Sequence, residues 1–259
     1  MVEALVFGAV ASSALVIGAV VGARVQFPKR VLAVLLSFAA GSLITALAFE
    51  LFEESKERGG LGRAVLGLGA GAVVFTLLSA WLDRAAAPGA RAGDDGSEKL
   101  DTDAAAVGRS PSPASTSGAA GLALLAAVTL DGVPENIALG VSLGQGTGGL
   151  ALLAAIFVSN FPESLVGSAS MREQGRSNAF VLGTWSACAV LLTLAVAVGA
   201  GPLSTASEET ISLPLAFAAG AVIASLADTL MPEAYENGGP AVALSTAAGF
   251  SLAYALSLI

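Results

Sequence analysis

The chain has 259 residues, 55% of them hydrophobic and only 12% charged, with mean hydropathy +0.79 and a formal net charge of −8 at pH 7. A soluble domain carries about 25% charged residues, so an ordinary soluble fold is excluded. The acidic balance argues against a nucleic acid as partner.

The charges cluster, and charge-free stretches between them include 4–23, 31–49, 64–82, 136–162, 177–207, 210–227 and 237–259. A membrane-crossing helix needs about 20 mostly apolar residues, and several stretches meet that length. The spacing predicts an all-α polytopic membrane protein with eight spans, near 2–24, 31–53, 61–83, 119–144, 149–171, 178–200, 211–232 and 240–259. The first span lacks a basic segment ahead of its apolar run, so it reads as a span and not as a cleavable signal. The 31 glycines suit close helix packing in lipid. The single Cys188 rules out an internal disulfide.

Lys and Arg set the expected orientation. With the N-terminus outside, the inner loops hold Arg24, Lys29, Arg30, Arg84, Arg91, Lys99, Arg109, Arg172 and Arg176, and the outer side holds only Lys56, Arg58 and Arg63. An even number of spans returns the C-terminus to the outside. The expected location is therefore the plasma (inner) membrane with both termini outside. Residues 1–85 form the first three spans and residues 119–259 the last five. Between them, residues 86–118 are rich in Ala, Gly, Ser, Asp and Pro and have little to bury, which predicts a disordered cytoplasmic loop. That loop is a plain tether or, through Asp94, Asp95, Glu98, Asp101 and Asp103, a weak ion collector.

Two internal repeats stand out. The second span reads FAAGSLITALAFELFEE from Phe38 and the seventh FAAGAVIASLADTLMPE from Phe217, matching at nine of seventeen positions. They are five spans apart, so they cross the membrane in opposite directions. The other repeat is DGVPENIALG from Asp131 and SNFPESLVGS from Ser159, with Pro-Glu mid-span in adjacent, antiparallel helices. Inverted repeats with interrupted helices point to a transporter whose site lies near the midplane.

The chemistry concentrates in the fourth and fifth spans. Asp131 and Glu135 are four residues apart and share a helix face. Pro134 has no N–H for the carbonyl of Leu130, so that oxygen is freed beside the carboxylates. In the fifth span Ser159, Asn160 and Glu163 lie close together, and Pro162 frees the carbonyl of Val158 in the same way. A carboxylate at the bilayer centre costs about 2.5–3.5 kcal/mol on insertion scales. No Lys or Arg lies in any proposed span core, and the chain has no histidine. Protonation, water or a bound cation remain as compensation, and two neighbouring carboxylates favour a dication. The alternative is that Glu135 and Glu163 are protonated groups bonded across helices. Glu50 and Asp228, near the ends of the second and seventh spans, are candidates for lining a transport path or are simple interfacial charges.

At these residues the chain resembles the Zrt/Irt-like protein (ZIP) family of divalent-metal transporters. That family carries His-Asn-x-Pro-Glu in its fourth span and x-[Asn/Asp]-x-Pro-Glu in its fifth. The corresponding residues here are Asp131-Gly132-Val133-Pro134-Glu135 and Ser159-Asn160-Phe161-Pro162-Glu163. The segment LADTLMPEA from Leu226 is similar to the family's penultimate helix. The resemblance covers essentially the whole chain and implies a metal site between the fourth and fifth spans, with an elevator-like or rocking movement. Asp131 stands where the family has His, Gly132 where it has Asn, and Ser159 where it has His or Gln. The long loop has no histidine, and the sixth span has no acidic residue for a second metal.

The expected site is thus a single-ion set of oxygen ligands, with Asp131, Glu135, Asn160 and Glu163, Ser159 as a fifth, and the Leu130 and Val158 carbonyls completing the shell. Carboxylate and carbonyl oxygens suit harder ions such as Mn²⁺, and zinc accepts them too. The metal is transported substrate, and no cofactor is expected. The partners are the divalent ion and the lipid bilayer, with a homodimer allowed. The rival function is a proton-linked carrier in which the same carboxylates relay protons. An enzyme is not expected: without histidine there is neither an HExxH zinc site nor a Ser-His pair.

Overall fold

A computed structural model describes residues 2–25, 27–86, 120–146 and 149–258. Within those helices, the side chains of residues 82–86, 120–124, 126, 127, 131 and 151 lie outside the description, as does nearly all of the 86–118 segment expected to be a loop.

The described residues are mostly helical, with short turns between helices and no strand among them. Among them, nine α-helices run in order: α1 (Val2–Arg24), α2 (Lys29–Thr45), α3 (Glu53–Ala86), α4 (Ala120–Gln145), α5 (Leu150–Glu173), α6 (Asn178–Val198), α7 (Glu208–Ser225), α8 (Met231–Gly238) and α9 (Ala241–Ser257). Five helical runs are long and apolar enough to cross a membrane: Val2–Arg24, Lys29–Trp81, Leu152–Glu173, Asn178–Leu203 and Glu208–Gly238. Ala241–Ser257 is apolar but shorter. The 53-residue run is broken at Gly60, whose φ of 78° and ψ of 161° belong to no helix. A side chain at that φ would be strained, and glycine makes the turn without cost. Ser177 and Ser207 start α6 and α7 by accepting the backbone N–H of Phe180 and Thr210.

Three π-helical segments interrupt the α-helices, at Ala46–Phe52, Gly199–Leu203 and Leu226–Leu230. The first and third fall at matching places in the FAAG repeat, eight or nine residues after its Phe. Each adds an extra residue to a turn and rotates the rest of the helix. Segments of this kind gather at functional sites. Glu50 is on the first and Asp228 on the third.

The most extensive packing joins α1 to α5 and α6, α2 to α9, and α3 to α7. Grouped as one half of α1, α4, α5 and α6 and another of α2, α3, α7, α8 and α9, the helices also meet across the seam, where α2–α5 and α4–α7 pack as extensively as α4–α5. Inside each half, glycines bring backbones together. A methyl group added to Gly41 of α2 would lie 2.0 Å from the carbonyl oxygen of Thr246 on α9, and one on Gly249 would lie 2.0 Å from that of Phe38. The same exchange joins α7 to α3: a methyl group on Gly220 would lie 1.9 Å from Leu68 O and one on Gly71 2.0 Å from Phe217 O. In the other half Gly22 packs on Leu165 of α5, while Gly199 and Gly140 tie the end of α6 to Ile137 and Val196. Small residues permit such contact where lipid gives no hydrophobic push between helices.

Interhelical hydrogen bonds follow the same division. Ser42 and Thr45 donate to Gly249 O and Phe250 O, Ser245 donates to Val34 O, and Ser55 and Ser212 exchange bonds at 2.8 Å. Across the seam, α2 meets α5 and α4 meets α7 through apolar side chains including Leu139, Ile156, Leu215 and Ala219. The outward faces carry exposed Leu66, Leu77, Trp81 and Leu244, a surface suited to lipid.

Candidate metal centre

Helices α4 and α5 touch, and each contains a proline within its length, Pro134 and Pro162. Both helices continue through the proline, so the interruption removes a donor without ending the helix. The carbonyls of Leu130 and Val158 lose the N–H four residues ahead.

On this pair of helices four of the residues expected as ligands are buried. Glu135 is 4% exposed, Ser159 1%, Asn160 3% and Glu163 3%. The Ser159 hydroxyl donates to Ile156 O at 3.0 Å, which leaves its lone pairs available. Asn160 Nδ2 has no partner among the described residues. Asp131 lies on α4, but its side chain is outside the described residues. Among the described residues no three of His, Cys, Asp and Glu gather as a metal-binding group. The buried polar side chains expected as ligands on these two helices are thus two carboxylates, a hydroxyl and an amide.

The two further candidates belong to the other half. Glu50 is half-buried on its π segment. Asp228 is exposed, and its Oδ2 accepts a bond from Ser79 of α3 at 2.8 Å. Neither lies on α4 or α5.

One buried polar residue of α4 escaped the sequence reading. Asn136 is 0% exposed, its Nδ2 donates to Gly132 O at 2.8 Å, and its Oδ1 has no partner among the described residues. The available signal was an amide directly after Glu135, one helical turn after Gly132. A motif that ends at Glu135 draws no notice to the residue after it.

Ion pairing is found at the opposite extreme of polarity. Where α3 and α7 begin, Arg58 pairs with Glu54 and with Glu208, Arg63 pairs with Glu209, and Lys56 pairs with Glu53. No model of a known protein family matches the chain, and no curated protein matches it by sequence.

Proposed function

We propose that the chain moves a divalent metal cation across a membrane, through an oxygen-ligand site between α4 and α5, as a transporter of the ZIP-like kind. The observation that carries this reading is the burial of Glu135, Ser159, Asn160 and Glu163 on two touching helices, each freed of one backbone bond by proline. Residues 110–171 contain no Lys or Arg, and the chain has no His. A dication supplies positive charge there, and carboxylate, amide and carbonyl oxygens are the ligands that hard dications take. Asp131 completes the set in this reading, with the Leu130 and Val158 carbonyls. Glu50 and Asp228 line the approach and exit.

Eight spans form the membrane domain: α1, α2 with its π segment, α3 beyond Gly60, α4, α5, α6, α7 with its π segment, and α9. Both termini face outside the plasma membrane. An inverted repeat relating the first three spans to the last three is supported by the paired glycine contacts. Phe38 and Gly41 stand to α9 as Phe217 and Gly220 stand to α3, with the contacted residues again three apart, Thr246 and Gly249 against Leu68 and Gly71. The matching π segments in the FAAG repeat support it too. Transport follows from movement of the α1, α4, α5 and α6 half against the other, along a seam of apolar contacts.

The test is uptake into proteoliposomes across Mn²⁺, Fe²⁺, Zn²⁺, Co²⁺, Cd²⁺ and Mg²⁺. The expected result is dication uptake with mutual competition. Correctly inserted protein that passes no dication overturns the reading. Flux of another solute driven by a proton gradient would establish the proton-linked carrier instead.

A further inference from the structure

We propose that the end of the bundle where α1 passes into α2 and α5 into α6 binds the headgroups of anionic phospholipids. The proposal rests on the chain being embedded in a bilayer, and it is independent of the cation site.

The packing brings the two connections to one end. A methyl group on Gly18 would lie 2.4 Å from Phe161 O, and one on Gly22 would lie 2.2 Å from Leu165 O. Four residues along α1 thus match four along α5 in the same sense, so the two helices run parallel and finish together. Phe27 of the first connection packs in one apolar cluster with Met171 at the end of α5 and Val181 at the start of α6.

Positive charge collects there. Arg24 closes α1, Lys29 and Arg30 open α2, Arg172 lies in the last turn of α5, and Arg176 follows it. All five are exposed, and Glu173 is the one carboxylate among residues 21–32 and 170–181. None of the five forms an ion pair among the described residues; Glu233 and Glu236 of α8, which packs on α2, form none with them either. At the opposite end Lys56, Arg58 and Arg63 are all paired. There the helices also begin as their dipoles favour, α3 with Glu53 and Glu54 and α7 with Glu208 and Glu209. Helix α2 inverts that rule, with two cations and no acid in its first turn. The arrangement is unfavourable by itself, and an anion outside the protein offsets it.

The apolar residues between the charges say which anion. Val25, Val31 and Phe180 are 46%, 42% and 40% exposed among the basic side chains. The Arg176 guanidinium lies 5.1 Å from the centre of the Phe180 ring and also donates to no carboxylate. Basic groups next to exposed apolar side chains, at the end of membrane-length helices, match a lipid with a charged headgroup above acyl chains. A soluble phosphate would use the charges alone. Each Lys or Arg near an anionic bilayer surface strengthens binding about fivefold.

Native mass spectrometry of the purified full-length protein in neutral detergent tests this, with phosphatidylglycerol and phosphatidylcholine of equal acyl length as probes. Phosphatidylglycerol is expected to bind at least about 25-fold more tightly, fivefold for each of two engaged charges. Lys29→Gln with Arg30→Gln should remove most of that preference, and Arg172→Gln with Arg176→Gln should reduce it. Lys56→Gln with Arg63→Gln should leave it unchanged. Equal binding of the two lipids overturns the proposal, as does an unchanged preference in a variant with all five basic residues replaced by Gln. Should that variant fail to insert, an unchanged preference in the Lys29 and Arg30 pair overturns it. Displacement of the lipid by an excess of inorganic phosphate would make this a site for free anions and overturn it too. So would a preference that emerges only when Asp94, Asp95, Glu98, Asp101 and Asp103 are neutralised, because the chain's own acidic segment would then be the occupant.

Discussion

Two groups of carboxylates in this molecule are treated in opposite ways. Glu53, Glu54, Glu208 and Glu209 stand where α3 and α7 begin, and each has a Lys or Arg partner. Glu208 and Glu209 are mostly exposed, with side chains 63% and 68% accessible. Glu135 and Glu163 are buried, in a stretch of sequence that holds no basic residue until Arg172 at the far end of α5. Exposed pairs are worth little, since water screens the charges and side-chain entropy opposes the contact. Burying a charged carboxylate costs several kcal/mol unless a cation, a proton or good hydrogen bonds offset it. This collar of ion pairs therefore reads as solvated surface chemistry at Lys56–Glu53 and Arg63–Glu209, while Arg58, 11% accessible, reaches Glu54 and Glu208 from a mostly buried position. Under the proposed function the buried pair is a place kept for a cation.

The strongest way to break the comparison is to neutralise the buried pair. Glu135→Gln or Glu163→Gln should reduce dication uptake at least about 100-fold, because charged ligand count tunes affinity over orders of magnitude. The ion-free protein should become more stable, since a costly buried charge is gone. Uptake and chemical unfolding measure the two effects, and undiminished flux in either variant would end the distinction between the two groups.

A second prediction concerns the incoming charge. Mn²⁺ at about 100 times its dissociation constant should stabilise the folded protein by about 2.7 kcal/mol, and a chelator should reverse this. Thermal unfolding with and without the ion reads it directly. The shift should vanish in Glu135→Gln and persist in Glu208→Gln.

Smaller still is the expected change in selectivity. Asp131→His replaces a hard anionic ligand with a borderline neutral one and lowers the charge of the site by one. Uptake of every dication should fall. The ratio of Zn²⁺ to Mn²⁺ uptake should rise several-fold, on the order of 3 to 10. An unchanged ratio in well-inserted protein would exclude Asp131 from contact with the ion.

The smallest effect belongs to the collar. Arg63→Ala, which unpairs the exposed Glu209, should cost about 1 kcal/mol or less and leave uptake within about twofold. A loss of transport as large as that of Glu135→Gln would mean that the collar is part of the path.

Much of the helical pattern was legible in the sequence, because long apolar runs and their charged breaks are strong signals. The break at Gly60 falls between the second and third expected spans, and Glu135, Asn160 and Glu163, placed inside spans by the sequence, are buried. The π segments were not legible. They arise from a one-residue shift in hydrogen bonding that leaves no compositional trace, and FAAG repeats alone do not reveal it. The short helix Met231–Gly238 was hidden inside the seventh span and the loop after it. Its eight residues are too few and too polar to carry an apolar period. Which helices would pair was hidden as well, because apolar sequences with many glycines offer many similar faces. Only contact geometry separates Gly41, which meets a backbone, from glycines that meet nothing.

That separation defines how much change the chain can tolerate. Gly41, Gly71, Gly220 and Gly249 each sit within about van der Waals reach of a facing carbonyl, and a methyl group at any of them would overlap it. Gly62, Gly69 and Gly183 are also helical, yet nothing lies within 4 Å of the methyl they could carry. The two classes are indistinguishable by residue type. In a library of single alanine replacements they would part company sharply, the first class dropping out and the second surviving with somewhat better helix propensity. Freedom to vary is thus distributed by contact and not by residue: the chain can change along its outward faces while the backbone crossings inside each half stay fixed.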